Sequence, residues 1–376
     1  MSNYVLSTID SLYAGMVVPQ NIYNADMSLL LVTEGSVLTE ARIEQLKRFH
    51  DGLGKIYISA ETEKLINKRN ELLREAPSTR ALEDETGYTG IKEETIAILE
   101  KISHDGSVSV PTLYSVSEDL SRAVDVTAPS VIVDLVSALA SADEYLQRHC
   151  INVGLLNGLI GKWLGMSKED VDTLILVGLL HDCGKASIPS KILAAPRPLT
   201  VVEFEVVKTH PGYSGMLMND FPEVVKRAAR AHHEKFNGSG YPDGLAGDKI
   251  PLMGRITAVS DIYDAMVSRR SYKNPNSPFK ILSVIDELRD RDLDGRLVDV
   301  FVTKMSEELQ GKQVVLTDGR VASVISIEPR MLEYPVVQVG GEIIYTNLNL
   351  SCLSLYYDSE EDDDDYDYEN SIEAFL

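Results

Sequence analysis

Positive charge is scarce in this 376-residue chain: 36 Lys and Arg stand against 58 Asp and Glu, a formal balance of −22. A basic face for duplex nucleic acid is therefore not expected, because phosphate backbones are held by clustered Lys and Arg. Any phosphate handled here has to be held locally, by a metal or by a few placed cations. Cysteine is nearly absent as well. Cys150, Cys183 and Cys352 are odd in number and form no CxxC pair, which argues against a disulfide framework and for a reducing, cytoplasmic setting. Long apolar runs are missing too: the strongest, Leu174–Leu180, has seven residues against the ~18 of a membrane span. Residues 1–20 carry no Lys or Arg and place Asp10 where an apolar stretch would sit, so no signal peptide is expected.

The acidity that is present is uneven. From Asp358 to Leu376 there are ten acids and no Lys or Arg, and removing these ten leaves −12 over residues 1–357. Such a tail is expected to be disordered and to do no chemistry. Five divisions are expected along the chain, this tail included. Residues 1–60 form a small β-rich module, with strand candidates at Met16–Tyr23, Leu29–Thr33 and Lys55–Ile58 and a short helix capped by Thr39 running to about His50. Residues 61–125 form a helical segment, charged over Glu61–Glu75, with a linker at Ala76–Gly90. Residues 126–310 read as all-helical, 311–357 as a β module, and 358–376 as the tail.

The helical spacing shows where that region is punctuated. Thr200-x-x-Glu203 is a capping-box signal, and Pro222 suits the first position of a helix over Glu223–Lys235. Over Gly254–Ser268 one side carries Ile256, Val259, Tyr263, Met266 and Val267, and the other Thr257, Ser260, Asp261, Asp264 and Ser268. After Gly311 the period becomes that of strands: Val314–Leu316, Val321–Ile327, Val336–Val339 and Glu342–Tyr345, punctuated by Asp318-Gly319 and Gly340-Gly341. The fold class is thus mainly α: a central all-helical bundle flanked by a small N-terminal α/β module and a C-terminal β module.

Histidine supplies the functional clue. Five of the seven, His149, His181, His210, His232 and His233, fall between 149 and 233, with His50 and His104 outside. His181-Asp182 ends an apolar helix, in Gly178-Leu-Leu-His-Asp-Cys-Gly-Lys185. An isolated His-Asp pair ordinarily does no more than cap a helix, and His104-Asp105, followed by Gly106, is read as a surface turn. Around His181, however, four more imidazoles and Asp261 lie on separate helices. Imidazole with carboxylate suits Fe, Mn, Zn or Ni. One Asp can bridge two such ions ~3.5–4 Å apart, which together activate water and neutralise a phosphoryl transition state. Lys185, one turn beyond His181, could give charge or a proton to a phosphate; taken alone it would be a solvated helix-end lysine.

In order along the chain stand Tyr145-x-x-x-His149, Leu179-Leu-His-Asp-Cys-Gly-Lys185, Ile188-Pro189, His210-Pro211 and His232-His-Glu234. They continue as Asn237-Gly-Ser-Gly-Tyr-Pro242, Asp261-Ile-Tyr-Asp-Ala265 and Arg270-Ser-Tyr-Lys273. This text, over Asp143–Lys273, closely resembles the HD-GYP family of bacterial cyclic di-GMP phosphodiesterases, within the HD phosphohydrolases. The resemblance implies a metal-dependent hydrolase of bacterial second-messenger signalling that opens cyclic di-GMP to pGpG or GMP. It implies that His149, His181, Asp182 and Asp261 hold one divalent transition metal, and that His210, His232 and His233 hold a second, with Asp182 bridging. Fe or Mn is the first expectation for the two ions, and Zn or Ni the alternative. Asp182 and Lys185 are implied as catalytic, and Lys185, Tyr241, Arg270 and Lys273 as substrate-binding. The Gly240-Tyr-Pro242 loop is implied as a surface for a protein partner; the oligomeric state stays open, a dimer included.

Departures from the family pattern are Cys183, Asn237 and Ser271, none at a ligand position, and Tyr145 where some members carry a Glu for a third metal. Two other readings compete. An HD phosphohydrolase of another nucleotide needs only the His…His-Asp…Asp set, and so leaves His210, His232 and His233 unused. A cyclic-dinucleotide receptor or scaffold with little turnover would not need the complete ligand set.

Overall fold

A computed structural model of the protein describes residues 4–12, 16, 18–24, 30–38, 42–43, 46–47, 55–60, 62–64, 66–67, 110–137, 145–193, 195, 197, 199–218, 220–267 and 277–356. Parts of the expected helices at 39–50 and 61–75, the linker at 76–90, His50, His104, Arg270, Lys273 and the acidic tail lie outside the described residues.

The N-terminal strands β1 (Tyr4–Thr8), β2 (Ile22–Asn24), β3 (Leu30–Val32) and β4 (Lys55–Ser59) form an antiparallel sheet of order β1-β4-β2-β3. Met16, Val18, Ile22, Leu38, Ile56 and Ile58 are buried together behind it. The strand β1 escaped the sequence reading because Ser7 and Thr8 dilute its apolar pattern. Expected strand Met16–Tyr23 shortens to its last residues, since Pro19 and Gln20 lie in a bend.

The helical region runs through α1 (Val110–Val126), α2 (Pro129–Ser137), α3 (Tyr145–Trp163), α4 (Lys168–Leu180), α5 (Ser190–Leu193), α6 (Val201–Val207), α7 (His210–Leu217), α8 (Glu223–Arg230), α9 (Leu252–Val267), α10 (Pro278–Glu287) and α11 (Gly295–Leu309). Capping sets several starts. Ser167 accepts the Asp170 N–H ahead of α4, Thr200 and Glu203 make the reciprocal box of α6, and Asp294 accepts the Arg296 N–H at α11. Leu113, Val116, Leu120 and Val124 of α1 join the same core as α3, α4 and α9.

One helix boundary differs from the sequence expectation. The helix expected over Glu223–Lys235 stops at Arg230, after which the backbone closes three-residue turns, with Ala231 N–H on Ala228 O and Glu234 N–H on Ala231 O. Consecutive helical side chains diverge by about 100°, so leaving the helix lets His232 and His233 face one centre. The polar side of α9 does not meet solvent: Thr257, Ser260 and Asp264 are fully buried, because α9 lies across α3 with partners on both sides.

The strands β5 (Gln313–Leu316), β6 (Val321–Ser326), β7 (Val336–Val339), β8 (Glu342–Tyr345) and β9 (Cys352–Leu355) make an antiparallel sheet of order β8-β7-β6-β5-β9. Four of the five match the sequence expectation. The fifth, β9, pairs Leu355 with Val314 and was not anticipated. The buried face of this sheet, with Val314, Leu316, Val324 and Val337, packs into the helical core, and Lys312 pairs with Asp134 of α2. All three cysteines are buried and free. Among the described residues no helix is long and apolar enough to cross a membrane.

Glycine sets how closely the site-bearing elements meet. A Cβ on Gly178 would stand 2.6 Å from Gly154 Cα, so α3 and α4 cross at backbone contact. On Gly184 it would stand 2.0 Å from the His210 carbonyl oxygen and 2.5 Å from Ser214 N. Gly184→Ala is therefore expected to cost about 1–3 kcal/mol by overpacking and to push the His181-Asp182 turn away from α7. Urea unfolding checks this; an unchanged midpoint would contradict the close approach.

Candidate metal centre

The site lies where four helical ends meet. His149 sits in the second turn of α3, and His181 closes α4 with its N–H on Val177 O. Asp182 and Lys185 follow in a 3-10 turn, His210 opens α7, and His232 and His233 follow α8. Asp261 is on α9. His149, His181, Asp182, His210 and His232 are all buried, and His233 is partly so.

Each buried imidazole is held at one nitrogen. Nδ1 of His181 donates to Gly178 O at 2.7 Å, that of His210 to Val207 O at 2.7 Å, and that of His232 to Ala229 O at 2.6 Å. All three use the carbonyl three residues back. His149 Nδ1 donates to the Asp264 carboxylate at 2.7 Å, and Asn152 Nδ2 donates to the other Asp264 oxygen at 2.7 Å. Since carbonyls and carboxylates only accept, these bonds place the proton of each neutral ring on Nδ1 and leave a lone pair on Nε2.

Those lone pairs converge. His149 Nε2 and His181 Nε2 are 3.2 Å apart, and His210 Nε2 and His232 Nε2 are 3.4 Å apart. The Asp182 carboxylate lies between the two pairs. Its Oδ2 is 3.5 Å from His149 Nε2 and from His181 Nε2, while Oδ1 is 3.1 Å from His210 Nε2 and 3.8 Å from His232 Nε2. Asp261 closes the first group, 3.2 Å from His149 Nε2, and faces His233 Nδ1 at 3.8 Å. Lys185 Nζ bonds Asp182 Oδ2. Among the described residues no hydrogen bond satisfies the buried Asp182 Oδ1. Acceptors facing acceptors in a buried site are costly unless something positive lies between them.

The titration behaviour agrees. Burial pushes the His181 and His232 pKa down, for His232 well below the ordinary range with help from the surrounding histidines. His233 is lowered to about 4, chiefly by burial. Burial alone would raise the Asp182 carboxyl, but Lys185 and His181 outweigh it and hold it well below the ordinary range. Asp261 is lowered in the same way, with the His149 contact opposing burial. Neutral imidazoles and ionised carboxylates are the protonation states that bind a cation.

This has a consequence for the metal-free protein. His233 takes up a proton near pH 4 when folded but near 6.5 in the unfolded chain. Between those values the unfolded state binds more protons, so the contribution to stability is complete above about pH 6.5 and is lost as the pH falls toward 4. The urea midpoint of the chelated protein is expected to hold between pH 8 and 7 and to fall steadily from 6.5 to 4.5. A flat profile would contradict buried neutral histidines.

The seven sequence-predicted ligand positions thus meet in two overlapping groups, Asp182-His210-His232-His233 and His149-His181-Asp182, with Asp261 beside the second. The Tyr241 ring packs against His233 at 4.8 Å between centroids, the two planes tilted by 39°. Arg270 and Lys273 lie outside the described residues. Several residues around the centre were not singled out from sequence. Asp264 and Asn152 orient His149. Ser214 Oγ donates to His181 O and accepts the Gly184 N–H, both at 2.9 Å. Glu234 accepts the Asp243 and Leu245 amides at 2.7 and 2.9 Å, which pins the Gly-Tyr-Pro loop beside His233. Asp264, three residues after Asp261, carried a signal in its helical spacing; Ser214 and Glu234 became meaningful only once the loops closed.

A helical bundle with a His-Asp centre of this kind defines an HD-domain protein, and the HD domain family matches residues 135–297. The chain is 31% identical over 70% of its length to "Cyclic di-GMP phosphodiesterase PA4108" of Pseudomonas aeruginosa, covering 69% of that protein. With the Asn237–Pro242 loop in place, the chain belongs to the HD-GYP family. It is 41% identical over 45% of its length to "Cyclic di-GMP phosphodiesterase response regulator RpfG" of Xanthomonas campestris, covering 47% of that protein. It is 29% identical over 60% of its length to "3'3'-cGAMP-specific phosphodiesterase 2" of Vibrio cholerae, covering 44% of it. The chain therefore spans about half the length of these last two relatives.

Proposed function

We propose that this chain hydrolyses the phosphodiester bonds of a cyclic dinucleotide, cyclic di-GMP in the first instance, giving pGpG and then GMP. The observation that carries the reading is the Asp182 carboxylate set between two pairs of imidazole lone pairs, with Oδ1 left unsatisfied. His149, His181, Asp182 and Asp261 would hold one divalent cation, and His210, His232 and His233 a second shared with Asp182. Fe or Mn suits this mixture of imidazole and carboxylate, with Zn or Ni as alternatives. When bound, such a pair supplies Lewis acidity toward phosphate oxygens and lowers the pKa of water.

The chain's own groups do the rest. Asp264, with Asn152 behind it, and the three carbonyls fix the imidazole rings, so that little reorganisation is needed when charge builds on phosphorus. Lys185 is partly exposed beside Asp182 and would hold a non-bridging phosphate oxygen. Burial, and then the charges of Asp261 and Asp182, push the Tyr241 phenol up, so it keeps its proton and can donate a hydrogen bond. Arg270 and Lys273 match the family's cations for the phosphate and base. Water adds across one P–O bond, leaving a phosphomonoester and a free sugar hydroxyl. The names of relatives that act on cyclic di-GMP and on 3'3'-cGAMP support the substrate class. The test is product chromatography on a panel of cyclic dinucleotides, nucleoside monophosphates and alarmones. Cleavage confined to the monoesters or alarmones, or binding without product, would replace this reading with one of its competitors.

A further inference from the structure

A row of aromatic and cationic side chains leads away from the metal centre, and the phosphodiester chemistry has no use for its outer members. Tyr241 lies on His233. Lys208, two residues before His210, holds Nζ 5.5 Å from the Tyr241 ring centre and 5.9 Å from that of Phe204. Phe204 on α6 keeps 48% of its surface exposed, so its ring is open to a ligand. Lys208 also bonds the exposed Glu205 carboxylate at 2.8 and 3.1 Å. An exposed pair three residues apart contributes little, so the ammonium can exchange that partner for another.

Aromatic rings stack on any base, whereas an ammonium has donors only and therefore discriminates. Guanine presents O6 and N7, both acceptors, on the edge where adenine presents N7 beside the N6 donor. We propose that Phe204 and Lys208 form a base subsite, with Phe204 stacking on a purine and Lys208 donating to O6 and N7 of guanine. This rests on the cyclic-dinucleotide reading and deepens it by naming the preferred base. Relatives named for cyclic di-GMP and for 3'3'-cGAMP show that base choice varies among proteins similar to this one.

The experiment measures kcat and KM of the metal-loaded full chain on cyclic di-GMP and cyclic di-AMP, for wild type, Lys208→Met, Lys208→Arg and Phe204→Ala. Wild type is expected to favour the guanine substrate by about tenfold or more, the size of one good base-edge contact. Lys208→Met raises KM for cyclic di-GMP about tenfold and leaves cyclic di-AMP far less affected, so the preference collapses. Lys208→Arg restores it, since a guanidinium likewise has donors only and can pair with O6 and N7 of guanine. Phe204→Ala raises KM for both substrates alike. Equal losses on both substrates in Lys208→Met, no loss at all, or no rescue by arginine would overturn the subsite. A wild type that cleaves both without preference overturns the subsite alone. A wild type that cleaves neither overturns the functional reading, and the subsite with it.

Discussion

Asp182→Asn is expected to reduce cyclic di-GMP hydrolysis by ~10³-fold or more, about 4 kcal/mol of transition-state stabilisation, and to lower the bound metal below two equivalents per chain. The reason is geometric. One carboxylate spans the two groups, with Oδ2 toward His149 and His181 and Oδ1 toward His210 and His232. An amide supplies only one neutral oxygen, so it cannot serve both sides. The same substitution is expected to cost the metal-free protein some stability as well, because Lys185 and His181 hold the buried carboxyl ionised well below its ordinary range and a neutral amide forgoes that attraction. Lys185, being partly exposed, can turn its ammonium to solvent, which limits the loss. Activity and metal content should therefore fall in a protein that still folds, as metal analysis and urea unfolding of the apo form check. A variant that keeps two metal equivalents and wild-type turnover would mean that Asp182 does not hold the cations.

Lys185→Ala should separate substrate binding from metal binding. Lys185 bonds Asp182 and sits at the exposed edge of a buried centre. Removing one cation that holds developing phosphoryl charge costs about 10²–10³-fold in turnover. Two metal equivalents should remain, because the carboxylate and all five imidazoles are untouched. Metal analysis alongside steady-state kinetics checks both halves. A variant with wild-type turnover would remove Lys185 from the reaction, and one that loses its metals would make it part of the centre's scaffold.

Much of this was legible in the sequence because the chemistry is carried by residues that are rare and clustered. His181-Asp182 at the end of an apolar run, with four more imidazoles nearby, located the centre. The Thr200–Glu203 box and the β turns at Asp318-Gly319 and Gly340-Gly341 located the element boundaries. What sequence did not reveal depends on tertiary closure. Nothing local shows that three imidazoles each spend Nδ1 on the carbonyl three residues back, or that Gly184 must let the His210 carbonyl approach. Periodicity distinguished the two sides of α9 but not what covers the polar one. The early end of α8 was hidden for a similar reason: helix propensity continues past Arg230, and the chain turns to bring His232 and His233 together. The strands β1 and β9 are short and diluted by serine and threonine, and they gain their definition from pairing with β4 and β5.

The most direct measurement of the central claim is metal analysis of the as-purified protein, coupled to product chromatography before and after chelation. The account predicts close to two divalent transition-metal ions per chain, conversion of cyclic di-GMP to pGpG or GMP, loss of conversion on chelation, and its return when the metal is restored. Full cleavage by protein that holds no metal, or two bound metals with no cleavage of any cyclic dinucleotide, would contradict it.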